Sequence, residues 1–418
     1  MTLREKIQQE IQERGPIPFS RYMEMCLHDP ERGYYSRDVE RFGKAGDFYT
    51  SSDVHAVFGR LLARQFEEIW RVFGSPERIE LLELGPGRGL FARDVLDWSE
   101  KKFPGFSRAL HYSLVEKSAA LQRRLQANLE RHFIAGKASL SPQGLKPPIS
   151  GEPCDTAEAV PFANLPAAKD VTSVVPSGDG PGIFPLERAL AREIPVIIFA
   201  NELFDALPVE ILSPRGELRI GIRDGRLVET WAPASSEEME FLDRYSVHPE
   251  DGERVEVPLL AQGYTAEVAA ALTRGIIIAV DYGYTRQEQF AGRHRGTLMA
   301  FRQHSASASP YEAPGDQDIT AHVNFTALTA AAEQGGMQVQ PLLTQSQFLM
   351  AIGEQNQFAD AFEDCRFPQE TAKVALQLKH LVTPAGMGEA FHVLVCSKGI
   401  DPDKVVGLSG LSFSKRRA

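Results

Sequence analysis

The chain has 418 residues, 43% hydrophobic and 24% charged, an ordinary make-up for a soluble globular protein of two or three folding units, or one large α/β domain with insertions. With 45 basic against 56 acidic residues the formal net charge is −11, which argues against a general nucleic-acid binder, because such a protein needs a basic face to displace counterions from phosphates. No run of about 18 apolar residues occurs, so no membrane insertion is expected, and Cys26, Cys154, Cys365 and Cys396 are scattered as for free thiols in a reducing compartment, with no metal site.

Met1 to Gly15 carries Glu5, Glu10 and Glu13 among its bases. Secretory leaders need an apolar centre and transit peptides avoid acids, so a cytoplasmic protein is expected. Leu3, Ile7 and Ile11 mark an amphipathic helix that Gly15-Pro16-Ile17-Pro18 stops. Met23, Met25 and Leu27 belong to a second short helix, Gly43 to Ser52 reads as a loop, and His55 to Phe73 as a long helix burying Val57, Leu61, Leu62, Phe66, Ile69 and Trp70. Residues 1–75 are thus an N-terminal helical region.

From Ile79 the pattern changes. Ile79–Leu84 is a short apolar strand, followed by a glycine turn and a helix through Phe91, Val95 and Trp98. His111–Val115 is a second strand, and Leu121, Leu125 and Leu129 mark the next helix. Pro195–Ala200, Gly275–Val280 and the closing Phe391–Cys396 are further apolar strands, with helices near 324–335 and 355–381. Strands apolar on both faces that alternate with helices predict a parallel sheet covered on both sides. Two insertions interrupt this 76–400 core. Residues 141–190 are rich in Pro, Gly, Ser and Ala and read as a long irregular excursion. Residues 214–258 hold alternating segments Glu217–Ile222 and Arg226–Trp231 around Asp224-Gly225, a hairpin signal. Residues 401–418 form a C-terminal tail.

The chemistry concentrates after the strands. Glu83-x-Gly85-x-Gly87-x-Gly89 lets the backbone turn sharply and approach a ligand without an intervening Cβ. A dinucleotide fingerprint is G-x-G-x-x-G, one residue longer in its second gap, so a nicotinamide oxidoreductase fits poorly. G-x-G-x-G with an acid two residues ahead is the motif of the large methyltransferase class on this fold; a tight structural turn is the alternative. Glu116 ends the second strand, where a carboxylate accepts hydrogen bonds from adjacent ribose hydroxyls, or is simply a solvated acid at a helix start. Asn201-Glu202-Leu203-Phe204-Asp205 follows the third strand, at the carboxyl end where open α/β sheets bind ligands. Glu202 could orient or deprotonate a nucleophile; Asp205 could do the same or cap a helix. Asp281-Tyr282-Gly283 stands similarly after its strand. His322 and Asn324 are not assigned, a lone His being more often structural.

Taken with Gly46-Asp47-Phe48-Tyr49-Thr50, Phe58-Gly59, Val115-Glu116-Lys117-Ser118, Gly296-Thr297-Leu298 and the stretch from Gly315 through Gln317-Asp318-Ile319-Thr320-Ala321-His322-Val323-Asn324-Phe325, these segments stand in the order of the MidA-like family, which the chain resembles from about Gly15 to Val395. This is a bacterial and mitochondrial group whose mitochondrial member is the arginine methyltransferase that assists assembly of respiratory complex I. The resemblance implies a class I methyltransferase, a Rossmann-like seven-stranded α/β sheet with helices on both faces, plus N-terminal and inserted elements. It implies S-adenosylmethionine as cofactor and a protein arginine as acceptor, in a complex I subunit. Glu83, Gly85, Gly87, Gly89 and Glu116 become cofactor residues, Asp47 and Thr50 part of a cover supplied by residues 1–75, and Asn201, Glu202 and Asp205 the catalytic residues at the transfer site. The chain departs from many relatives in having Ser52-Asp53 where they carry Pro-Glu, and in a longer 141–190 segment. A small-molecule acceptor and a cofactor-binding assembly chaperone are the competing readings.

Overall fold

The computed structural model describes residues 1–36, 56–141, 194–292, 295–302, 305–306 and 309–415. The Gly43–Ser52 loop, Asp47 and Thr50 with it, and all but the first residue of the 141–190 insertion lie outside the described residues.

Helix α1 (Leu3–Arg14) starts at a capping box in which the Thr2 hydroxyl accepts from the Glu5 N–H and the Glu5 carboxylate accepts from the Thr2 N–H. It ends at Gly15, whose φ of 83° lies in the left-handed region. Helix α2 (Phe19–His28) follows, then a turn through Tyr34–Ser36. These N-terminal elements pack on a small antiparallel sheet contributed by the 214–258 insertion and its neighbours: Ile17–Pro18, Gly216–Arg223, Glu210–Ser213 and Val255–Val257 in order, with Arg226–Ala232 beside Gly216–Arg223. Ile7, Phe19, Met23, Leu218 and Ile220 share one core. The hairpin turn carries φ of 51° at Asp224 and 71° at Gly225, the left-handed pair that two-residue turns require.

Helix α3 (Val57–Val72) belongs instead to the main core. There, six consecutive buried residues form strand β1 (Ile79–Leu84), and α4 (Leu90–Lys102) returns the chain. Strand β2 (Leu110–Val115), helix α5 (Ala119–Asn128) and strand β3 (Ala138–Ser141) extend the sheet on one flank. Strand β4 (Val196–Asn201) pairs with the other edge of β1. Helix α6 (Leu259–Ala271), β5 (Gly275–Tyr284), α7 (Phe325–Gln334), β6 (Gln338–Val339) and β7 (Phe391–Lys398) complete the order β6-β7-β5-β4-β1-β2-β3. All neighbours are parallel except β7, which runs antiparallel between β5 and β6. Two-residue strands Val323–Asn324 and Leu343–Thr344 add to β5 and β7. The α/β class is the expected one, but the sheet is mixed where a parallel one was predicted, because the closing strand β7 inserts antiparallel between β5 and β6. The chain leaves β1 toward β2 but adds β4 on the opposite edge, so the crevice at the carboxyl ends of β1 and β4 is the topological switch point.

The C-terminal part differs from the sequence reading. One helix was expected over 355–381; the chain forms α8 (Gln345–Glu354), a single turn Ala359–Phe362, and α9 (Pro368–Val382). Gln357 and Phe358 take φ of 55° and 59°, which no helix interior accepts. The Phe358 ring lies so close over Gly353 that an added Cβ there would meet it at 2.0 Å. Phe367 is extended because it precedes Pro368, which starts α9. Residues of the expected tail are packed: Val405, Leu408 and Leu411 are buried in the main core. Among the described residues no helix is long and apolar enough to cross a membrane.

The main core is centred on Phe199 of β4. Its ring stacks on Phe91 of α4 at 4.5 Å between centroids and meets Phe66 of α3 edge-on at 5.7 Å. Phe199→Ala is expected to cost about 3–5 kcal/mol of unfolding free energy through the cavity it leaves. Urea unfolding checks it; a loss under about 1 kcal/mol would mean the two helices and the sheet are not held at this contact.

Candidate active site

A cavity of about 610 Å³ opens at the switch point, within the size range of small-ligand sites. Register aligns its floor: Leu84 of β1 pairs with Val115 of β2 and with Ala200 of β4, and Asn201 pairs with Val280 of β5. Of the residues singled out by sequence, Glu83, Gly85, Gly87, Glu116, Asn201, Glu202 and Asp205 all line it. Gly89 does not, and Asp47 and Thr50 lie outside the described residues.

The three glycines share left-handed φ values of 68°, 54° and 73° but serve different purposes. At Gly85 an added Cβ would meet the Leu203 side chain at 2.9 Å, so this glycine lets the β1 and β4 loops touch. At Gly87 nothing lies within 4 Å, so its backbone is left bare beside the cavity. Gly89 is the N-cap of α4 and backs onto Leu125 and Leu129, which places it in the helix packing behind the loop.

Glu116 is 7% exposed. One of its oxygens accepts the Gly87 N–H at 3.2 Å and the other the Ser118 N–H at 2.8 Å, which fixes the carboxylate against the glycine loop and leaves further lone pairs. Burial pushes its carboxyl up to about 7, against the lowering effect of the Ser118, Gly87 and Lys117 N–H groups. Glu83 is more deeply held. Burial raises it to about 8, although the Tyr112 hydroxyl donates to its Oε2 at 2.8 Å; the nearby Glu116 charge raises it further.

The turn after β4 is the most constrained part of the site. Glu202 has φ 50°, rare for a side chain of this size, and its N–H donates to Val280 O. The Asn201 amide donates to Glu202 Oε1 at 3.0 Å. Asp281, fully buried at the end of β5, gathers the turn: its Oδ2 accepts the N–H groups of Leu203, Phe204 and Asp205 at 3.2, 2.9 and 3.4 Å, and its Oδ1 accepts that of Tyr282. Burial, then the charges of Asp205 and Glu202, hold Asp281 well above the carboxylate range. Asp205 accepts the Tyr282 hydroxyl at 2.5 Å, and burial lifts it to about 6. Its Oδ1 and the Asn201 Oδ1 are buried without a hydrogen-bond partner among the described residues.

Several lining residues were not found from sequence. Asp318 and Thr320 alternate on the strand Asp318–Thr320 and so share a face; they stand in a quoted segment, but nothing singled them out of it. Tyr35 and His28 carried no signal, because only the tertiary fold brings the N-terminal region here. His322 packs edge-on behind Tyr282, and Asn324 caps α7 through the Ala327 N–H.

Residues 61–343 match the model of a family described as "Putative S-adenosyl-L-methionine-dependent methyltransferase". The chain is 28% identical to the mitochondrial protein arginine methyltransferase NDUFAF7 homolog of Drosophila melanogaster over 98% of this chain and 89% of that one. It is 27% identical to the mitochondrial protein arginine methyltransferase NDUFAF7 of Homo sapiens, over 92% of this chain and 80% of that one. The crystal structure of a Burkholderia thailandensis protein bound to S-adenosyl-homocysteine superposes with a TM-score of 0.74 at 27% identity, over 96% and 92% of the two chains. The expectation of a cytoplasmic protein is corrected here: these curated relatives are mitochondrial by name, and acidic residues near the N-terminus do not decide the compartment. The residues fit the cofactor. Bare backbone at Gly87 admits a close ligand, Glu116 keeps lone pairs for two hydroxyl donors, and the cavity has the volume.

Glu83 makes stability depend on pH. The unfolded carboxyl loses its proton near 4.5 and the folded one near 8, so between these values the folded chain binds more protons and stability falls as pH rises. Glu83→Gln keeps an acceptor for Tyr112 and removes the titration. Thermal melts from pH 5 to 8 are expected to show the wild type declining relative to the variant; parallel profiles would count against a proton on Glu83.

Proposed function

Since the chain belongs to this S-adenosylmethionine-dependent methyltransferase family, we propose that it methylates the guanidinium group of an arginine in a protein substrate. The cofactor, when bound, supplies a methyl group on a sulfonium centre, a good leaving group. The work left to the protein is to position the acceptor and manage its charge.

The single observation that carries the acceptor class is the acidic turn. Glu202 and Asp205 lie on one short segment, and Asp281 pins that segment through three N–H groups. Asp318 adds a further carboxyl to the cavity wall. A cation is the natural occupant of such a mouth. Carboxylate pairing with two guanidinium nitrogens is bidentate and draws the positive charge toward that side, away from the third nitrogen. Glu202 is proposed for this pairing, with Asn201 holding its Oε1 and Asp205 setting the far wall. The strained φ of Glu202 supports the role, since such backbone persists where the surroundings over-determine it.

Glu83, Glu116, Gly85 and Gly87 are proposed to hold the cofactor, with Gly89 shaping the loop from behind. Asp47 and Thr50 are proposed as part of a cover, and residues 1–75 as the region that supplies it. The named relatives act on protein arginine, which supports a protein acceptor over a metabolite. The MidA-like resemblance points to a respiratory complex I subunit, met during assembly, as that acceptor.

The test is transfer of labelled methyl into a lysate of cells lacking the protein, with Glu116→Ala as the cofactor-site control. Wild type should label a protein band that yields methylarginine on hydrolysis. Glu202→Gln should cut transfer by about 10- to 100-fold, the loss of one charged hydrogen-bonding pair, with cofactor affinity within threefold of wild type. Label confined to small molecules would overturn the protein reading, and full activity in Glu202→Gln would remove its role.

A further inference from the structure

Two tyrosines on the cavity wall spend their only donor on aspartates. The Tyr35 hydroxyl donates to Asp318 Oδ1 at 3.0 Å, and the Tyr282 hydroxyl to Asp205 Oδ2 at 2.5 Å. A phenol has one O–H; once it is committed, the oxygen presents lone pairs alone. The ionised carboxylates are acceptors only, and the Asn201 amide donates to Glu202. Burial lifts the Asp205 carboxyl to about 6, so it meets the Tyr282 hydroxyl as a carboxylate above that pH.

The phenols are also fixed in place. Tyr35 stacks on His28 at 5.7 Å and meets Tyr34 edge-on, while Tyr282 is wedged edge-on between His322 at 5.3 Å and Phe391 at 5.4 Å. Thr320 lines the cavity beside the Tyr282 phenol. Tyr35 further bridges the two ends of the site. Its carbonyl accepts the hydroxyl of Ser118, whose N–H holds Glu116, while its hydroxyl reaches Asp318.

We propose that Tyr35 and Tyr282 form an acceptor-only recognition pair that selects a donor-only head group, the guanidinium of arginine, for methyl transfer. This rests on the arginine reading above and deepens it by naming what discriminates. A guanidinium has donors in its plane and no acceptor, so each wall oxygen finds a partner. Urea, its neutral look-alike in citrulline, turns a carbonyl lone pair toward phenol and carboxylate oxygens that offer it no donor, and a buried unpaired acceptor costs binding. The mechanism parallels any site built to read one hydrogen-bonding group, where selectivity comes from the groups left unpaired.

The experiment is calorimetric binding of N-acetyl-arginine amide and N-acetyl-citrulline amide to the full protein saturated with S-adenosyl-homocysteine at pH 8. Wild type should bind the arginine compound at least about tenfold more tightly than the citrulline one. Tyr282→Phe and Tyr35→Phe should each weaken arginine binding by about tenfold and narrow the arginine-to-citrulline ratio, with S-adenosyl-homocysteine affinity within twofold of wild type. The unchanged cofactor affinity shows that the variants fold. Arginine binding retained in both variants at wild-type strength would overturn the tyrosine pair and leave the arginine reading standing. No arginine binding by the cofactor-loaded wild type would overturn both.

Discussion

The site depends on one buried carboxyl. Asp281 sits at the end of the central β5 and receives N–H groups from three consecutive residues after β4, plus that of Tyr282. Those three N–H groups belong to a turn that leaves a strand too sharply to satisfy them within itself. Left alone they would be buried donors without partners, each costing on the order of 1–3 kcal/mol. Asp281 meets them together, and in doing so fixes where Glu202 and Asp205 point. The left-handed backbone at Glu202 follows from the same anchoring, because the residue before a pinned turn has little freedom left.

The carboxyls in the crevice are distinguished by their donors. Glu116 is held by backbone N–H groups, Glu83 by one tyrosine hydroxyl, and Asp205 by another. Burial raises all three, yet by different amounts, so that neighbouring acids a few residues from one fold position differ in charge near neutral pH. A crevice that kept every one of these groups ionised would repel itself. One that kept none would have no hold on a cationic acceptor.

Much of this was legible in the sequence. The apolar run 79–84 with glycines at 85, 87 and 89 marks a strand, a tight loop and a helix start, because glycine takes those left-handed φ values without a Cβ penalty. Asp224-Gly225 likewise declares its hairpin, and the polar residues following 196–201 declare themselves as site candidates. What stayed hidden is tertiary. Tyr35 lies in a segment without periodicity or motif, and becomes a wall residue only because α1, α2 and the inserted sheet share a core. Gly89 looked like a third ligand contact, whereas its neighbours are leucines of the packing behind. The break within 355–367 carries no Gly or Pro before Pro368 to announce it, and coincides with Phe358 closing over Gly353. Compartment was misread because charge near one terminus is a weak witness.

The position of β7 sets a schedule for synthesis. This strand, Phe391–Lys398, emerges after every other strand of the main sheet, yet it lies between β5 and β6. Until it arrives, β5 carries an open edge of unpaired backbone along the very strand that ends in Asp281. A nascent or prematurely ended chain would therefore hold the glycine loop and Glu116 but have an unfinished floor beneath the turn after β4, and would expose a long apolar edge to any other chain nearby.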